Sequence, residues 1–202
     1  MLGLSLAFIT SLLLGMRHAT DADHIVAVST IVSRERSLAR ASRIGIVWGV
    51  GHTITILVFG TAIIAFKWSV TPSLGVSLEM AVAAMLIVLG LLNLLGAQPA
   101  GTTVNVARPF AIGVVHGLAG SAGATLLVLP LIGEPRWAAA YLVVFGLGTI
   151  AGMALVTLLI AASALLASAR IAGLQRSLRF ASGVVSVTFG AYLAWKIGVS
   201  DG

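Results

Sequence analysis

Residues 2–32 read LGLSLAFITSLLLGMRHATDADHIVAVSTIV: an apolar run, a cluster of ionisable side chains at 17–24, and a second apolar run. A helix that crosses the hydrocarbon layer needs about 20 residues, so the cluster falls near the middle of a span. On insertion scales each Asp or Arg placed there costs about 2.5–3.5 kcal/mol. Nothing structural requires that expense, and the default reading of such residues is a function. The opening run has no basic leader segment and no clear small-x-small cleavage site, so it is expected to remain part of the first span.

The whole chain agrees with a membrane setting. Of its 202 residues 59% are hydrophobic and only 9% charged, against roughly 25% charged in a soluble domain. The expected fold is all-α and polytopic, with six transmembrane helices near 2–32, 44–66, 75–97, 109–132, 137–168 and 178–197. Too little chain remains for an ATPase or receptor domain. The absence of cysteine removes disulfides, thiolate metal sites, iron–sulfur clusters and cysteine nucleophiles together. The net charge of +6 is best assigned to loops that face the cytoplasm, and no nucleic-acid partner is expected.

Orientation follows from those loops. Arg34, Arg36, Arg40, Arg43, Arg108, Arg170, Arg176 and Arg179 lie on one side, whereas Lys67, Arg136 and Lys196 lie on the other. Eight against three predicts the first, third and fifth loops inside and both termini outside. The 33–43 loop, SRERSLARASR, sits most simply beside anionic lipid headgroups.

The two halves resemble each other. GMRHATDAD at 15–23 aligns with GVVHGLAGS at 113–121, which pairs His18 with His116. WGVGHTITILVFGTAI at 48–63 aligns with FGLGTIAGMALVTLLI at 145–160, and VLGLL at 88–92 with TFGAY at 188–192. Three matches in order, at offsets of 98, 97 and 100, suggest a duplicated unit of three helices. An odd number of spans per unit inverts the second copy, as in many transporters whose site lies near the midplane.

On a continuous helix of about 100° per residue, Arg17, His18, Asp21 and His24 share a face. Asp23 points away from it, and Arg17 is placed to pair with Asp21. Two imidazoles and a carboxylate without thiolate suit Ni, Co, Zn, Mn or Fe better than Cu(I). His52, after two glycines in GVGHT, lies at a similar depth and is expected to add a third imidazole, the alternative being a bond to a neighbouring helix. Thr53 and Thr55 are candidates to support it. His116 leads HGLAGSAG, where Gly117, Gly120 and Gly123 recur every third residue. That spacing permits either close helix packing or a loosened helix whose carbonyls face the site. Glu79 and Asn93 are weaker candidates, and Glu134–Pro135–Arg136 reads as an exposed turn.

HATDADH has the form His-x4-Asp-His and, with the preceding Gly-Met-Arg, resembles the signature of the nickel/cobalt transporter (NiCoT) family. GVGHT resembles that family's second motif, and HGLAGSAG is similar to its short six-helix branch, the UreH-like urease accessory proteins and high-affinity nickel transporters. The resemblance covers three of the six expected helices. It implies uptake of Ni²⁺ or Co²⁺ across the cytoplasmic membrane for urease, hydrogenase or cobalamin pathways. It carries motif roles to His18, Asp21, Asp23, His24 and His52. The chain departs from the classical eight-helix members by lacking their first helix and their acidic Asp-Thr-Ala-Thr-Glu motif.

The expectation is therefore a single transporter domain over 1–202, with repeat halves of about 1–98 and 99–202. It is a permease importing Ni²⁺ or Co²⁺ by rocking one half against the other. His18, Asp21, His24 and His52 form the metal site, with Asp23 orienting a ligand or pairing across helices and His116 closing the site from the second half. No catalytic residue and no cofactor is expected; the metal is the transported substrate. Expected partners are that ion and membrane lipid, with a homo-oligomer or a separate energising subunit left open. Rival readings are an exporter of the same fold, the metal-binding membrane subunit of a larger transporter, and an intramembrane metalloenzyme.

Overall fold

A computed structural model describes residues 2–66, 71–96, 106–118, 134–171 and 173–200. Every regular element among them is helical: α1 (Leu2–His18), α2 (Ala22–Val32), α3 (Leu38–Phe66), α4 (Pro72–Leu94), α5 (Ala107–Leu118), α6 (Pro135–Arg170) and α7 (Leu174–Ser200). Helix starts follow local chemistry. Thr71 caps α4, its hydroxyl accepting the Leu74 N–H at 3.4 Å, and Pro72 and Pro135 open α4 and α6 where the missing N–H is not needed. Gly96, just past α4, takes a φ of 73° that few other residues tolerate.

Four of these helices, α3, α4, α6 and α7, are long and apolar enough to cross a membrane. Their outward side chains are apolar, Val58, Val88, Leu147, Leu159, Leu166 and Trp195 among them. The chain is a multi-pass helical membrane protein. The expected first span is not one helix: the polar cluster interrupts it at Ala19–Asp21, leaving α1 and α2, each too short to cross alone. The fourth expected span is described only as α5, and residues 119–132 of it lie outside the described residues.

Neighbouring residues fix the helix directions. Ser11 of α1 donates to the Tyr141 carbonyl at 2.8 Å, and Gly15 and Gly152 carry the contact upward on both chains, so α1 and α6 are parallel. Gly51 abuts Phe110, and Gly117 abuts His52 and Thr55, so α3 and α5 are parallel too. Gly45 meets Thr157 while Thr53 meets Gly146, which sets α3 antiparallel to α6. Thus α1 and α5 run in opposite directions. The buried residues at the centre include Ala19, Val28, Trp48, Leu86 and Met153.

These helices approach nearly to backbone contact, which small residues permit where lipid supplies no hydrophobic drive between helices. A Cβ at Gly113 would collide with the Trp48 carbonyl oxygen and one at Gly15 with that of Phe145; none at Gly75 would meet anything within 4 Å. Gly113→Ala and Gly15→Ala should each destabilise the protein by about 1–3 kcal/mol, with Gly75→Ala close to neutral. Thermal unfolding in detergent checks this, and equal effects at all three positions would refute the tight crossings.

Candidate metal centre

The interruption at Ala19–Asp21 builds the site. The Thr20 and Asp21 N–H groups turn back to the Arg17 and His18 carbonyls at 2.8 and 3.1 Å, tightening the end of α1. Asp21 is then extended (φ −61°, ψ 148°), and α2 restarts after it. Asp21 occupies the capping position but makes no side-chain bond to the α2 backbone. Its carboxylate accepts from His18 Nδ1 at 2.9 Å instead. Asp23 lies in the first turn of α2, where the helix dipole favours negative charge.

Asp23 is where the continuous-helix reading fails. The turn at 19–21 rotates α2 relative to α1, so Asp23 does not point away. One carboxylate oxygen lies 3.2 Å from His24 Nδ1 and the other 3.1 Å from His116 Nε2. Asp21, which that reading placed with the ligands, is the more exposed of the two carboxylates and serves His18 rather than Arg17. Arg17 itself is exposed.

Four buried imidazoles gather around this point. His18, His24 and His52 form a triangle with ring centroids 4.7, 5.1 and 5.1 Å apart, and His116 lies 4.5 Å from His24 on centroids. His18 Nε2 and His52 Nε2 stand 3.0 Å apart. A carboxylate accepts only, so each ring nitrogen facing one carries the hydrogen, and the opposite nitrogen of a neutral imidazole keeps its lone pair. Asp21 thereby frees His18 Nε2 and Asp23 frees His24 Nε2. This arrangement, carboxylate behind histidine, is common around protein-bound metals. Among the described residues His24 Nε2, His52 Nδ1 and His116 Nδ1 are buried without a hydrogen-bond partner.

Two groups of ligand atoms lie within 4.8 Å of one another: His18, His24 and His52, and Asp23, His24 and His116. The structure thus draws five of the six expected residues into ligand distance, with Asp21 behind His18. Thr53 and Thr55 do not support the imidazoles; their hydroxyls donate to the carbonyls of Gly146 and of Gly51 and Val114, joining helices. Gly117 packs against α3, whereas Gly120 and Gly123 lie outside the described residues. Glu79 is exposed on α4. Asn93 is fully buried away from the imidazoles, where its side chain joins α2, α4 and α7 through Ser33, Ser182 and the Thr30 carbonyl. Sequence reasoning passed over Trp48 and Phe145. Trp48 covers His24 and His116 at 5.4 and 5.8 Å, and Phe145 lies 5.7 Å from His18. The available signal was that Trp48 precedes His52 by one helical turn.

Comparison with known proteins finds 33% identity over 207 aligned positions to the urease accessory protein UreH of Bacillus sp. (strain TB-90), spanning 94% of this chain and 90% of that protein. No family model and no solved structure matches.

Removing the Asp23 carboxylate would strand two buried ring N–H groups at a cost of about 1–3 kcal/mol. Asp23→Ala should therefore lower thermal stability in detergent more than Asp21→Ala, whose carboxylate is half-exposed. The reverse order would assign the structural role to Asp21.

Proposed function

The chain belongs to the family of the urease accessory protein UreH, and on that premise we propose that it is a permease carrying Ni²⁺, or Co²⁺ in its place, inward across the cytoplasmic membrane. The family is one of accessory proteins rather than enzymes. The ion is the cargo, and His18, His24, His52, Asp23 and His116 are its ligands, with Asp21 orienting His18. One observation carries this reading: three buried imidazoles converge in a membrane-embedded interior, with ring nitrogens that no described residue satisfies. The 3.0 Å between His18 Nε2 and His52 Nε2 also suits a shared ion, since metal–imidazole bonds of about 2.1 Å meeting near a right angle separate their nitrogens by about 3.0 Å.

The architecture we assign is a single domain of two inverted repeats, about 1–98 and 99–202. The contacts that join the two halves come in matched pairs. Gly15 abuts the Phe145 carbonyl and Thr149 nitrogen; Gly113, 98 residues on, abuts the Trp48 carbonyl and His52 nitrogen, each 97 residues back. Gly148 meets the Leu12 carbonyl as Gly51 meets that of Phe110. Gly90 would place a Cβ 2.7 Å from the Gly183 carbonyl oxygen, and Gly190 would place one 2.7 Å from that of Ala83. An exchange of halves maps each pair onto the other, which supports a two-fold relation. Interrupted first helices at the repeat interface are a known transporter device. The loop charge supports an orientation with both termini outside, and the inward membrane potential favours entry of a divalent cation.

The test is uptake of radiolabelled ⁶³Ni²⁺ by cells expressing the wild type, His18→Ala or His24→Ala, with unlabelled Co²⁺, Zn²⁺ and Mn²⁺ as competitors. Wild-type cells should accumulate more nickel than vector controls, yielding mainly to Co²⁺. Each variant, inserted at normal levels, should lose at least about tenfold of that uptake. Accumulation below the control would make the protein an exporter, and normal uptake by both variants would remove the site.

A further inference from the structure

His24 belongs to both donor groups, and the two groups meet it from different sides. Its Nδ1 edge faces Asp23, whose other oxygen reaches His116 Nε2. Its Nε2 is buried without a partner among the described residues, and its ring neighbours those of His18 and His52. The outer members of the two groups arrive from opposite faces of the membrane, because His18 ends α1, His116 lies near the end of α5, and these helices run in opposite directions. Each is backed by an aromatic ring at matching distance, His18 by Phe145 at 5.7 Å and His116 by Trp48 at 5.8 Å.

Resting on the transport reading above, we infer that the ion occupies two stations in turn and passes between them on His24. The first station is His18, His24 and His52; the second is Asp23, His24 and His116. A neutral imidazole offers one lone pair, because its other ring nitrogen carries the hydrogen. His24 therefore serves the first station through Nε2 while Nδ1–H is held by Asp23. To serve the second through Nδ1, the hydrogen must move to Nε2, and His116, whose Nε2–H faces Asp23, must likewise carry its hydrogen on Nδ1. The two stations exclude each other, and the repulsion of two divalent ions at this range acts the same way. The chain thus moves one ion at a time from three neutral imidazoles to a site that adds a carboxylate. His116 is the ligand that draws the ion off the first station toward the face from which α5 enters.

The experiment uses Co²⁺, whose visible absorption reports its ligands, on the full-length protein in detergent. Bound metal is counted by equilibrium dialysis, and ⁶³Ni²⁺ uptake is measured in parallel in cells. The wild type should bind one Co²⁺ per chain. His52→Ala and His116→Ala should each still bind one, with spectra that differ from each other, and both should lose at least tenfold in uptake. His24→Ala should weaken Co²⁺ binding at least tenfold, since it belongs to both stations. His116→Gln, which keeps a donor for Asp23 but offers no imidazole, should reproduce the uptake loss and guards against a folding defect in His116→Ala. Two Co²⁺ per wild-type chain would overturn the exclusion. Wild-type uptake by His116→Gln, or identical spectra for His52→Ala and His116→Ala, would overturn the second station while leaving the transport reading in place. No Co²⁺ bound by the wild type, with no uptake above control, would overturn the transport reading itself.

Discussion

A carboxylate largely enclosed within a membrane-spanning bundle must be held by donors, and here one carboxylate is shared by both halves of the chain. Asp23 binds His24 beside it and His116 from α5. In hydrocarbon an unsatisfied polar group costs several kcal/mol, so the pairing constrains three things at once: the rotation of α2, the depth of α5, and the tautomers of two imidazoles. The interruption of the first span follows from the same demand. A continuous helix would aim Asp23 away from the interior and leave it unpaired in lipid. Breaking the helix for three residues turns it inward, and the turn satisfies its own backbone through the Arg17 and His18 carbonyls.

That arrangement needs helices that approach very closely. His52 reaches the centre because Gly51 and Gly113 let α3 and α5 lie almost backbone to backbone, and α1 reaches it because Gly15, Gly148 and Gly152 do the same along α6. Glycine weakens a helix in water by up to about 1 kcal/mol relative to alanine. In this membrane setting it is the residue that brings imidazoles from separate helices within ligand distance. The packing of the scaffold and the geometry of the centre therefore rest on the same positions.

Much of this was legible in the sequence because lipid makes exceptions conspicuous. Ionisable residues at mid-span, the glycines before His52 and the His18–His116 correspondence all stood out against an apolar background. What could not be read was the conformation of the cluster itself. Helical periodicity presumes a helix, and the polar density that made residues 17–24 informative is what interrupts it, so periodicity aimed Asp23 away from the interior although it meets His116 across helices. Thr53 misled for a related reason: a hydroxyl beside a histidine in sequence lies about 100° away around the helix, and here it meets a carbonyl of the adjoining helix, while Thr55 donates to the Gly51 and Val114 carbonyls. Trp48 went unnoticed because a buried aromatic residue in an apolar span carries no polar signal, although its ring closes over two of the imidazoles.

The same contacts bear on how such a centre can change its exposure. Rigid rocking of residues 1–98 against 99–202 would have to separate α1 from α6 and α3 from α5, the crossings where backbones touch. The polar bonds are distributed differently. α2 is joined at its far end to α4 and α7 through Asn93, whose side-chain amide donates to Ser33 Oγ, Ser182 Oγ and the Thr30 and Arg179 carbonyls. Arg34 closes that cluster by donating to the Asn93 oxygens and the Gly96 carbonyl. Among the described residues the side-chain bonds from its near end to another helix run through Asp23 to His116. The chain is thus interrupted at Ala19–Asp21 between α1, packed on α6, and α2, packed on α4, α6 and α7. That seam carries the half-exposed Asp21 and runs beside both groups of ligands. The interruption that turns Asp23 toward His24 and His116 is thus also the junction between the glycine crossings that fix α1 and the polar bonds that fix α2.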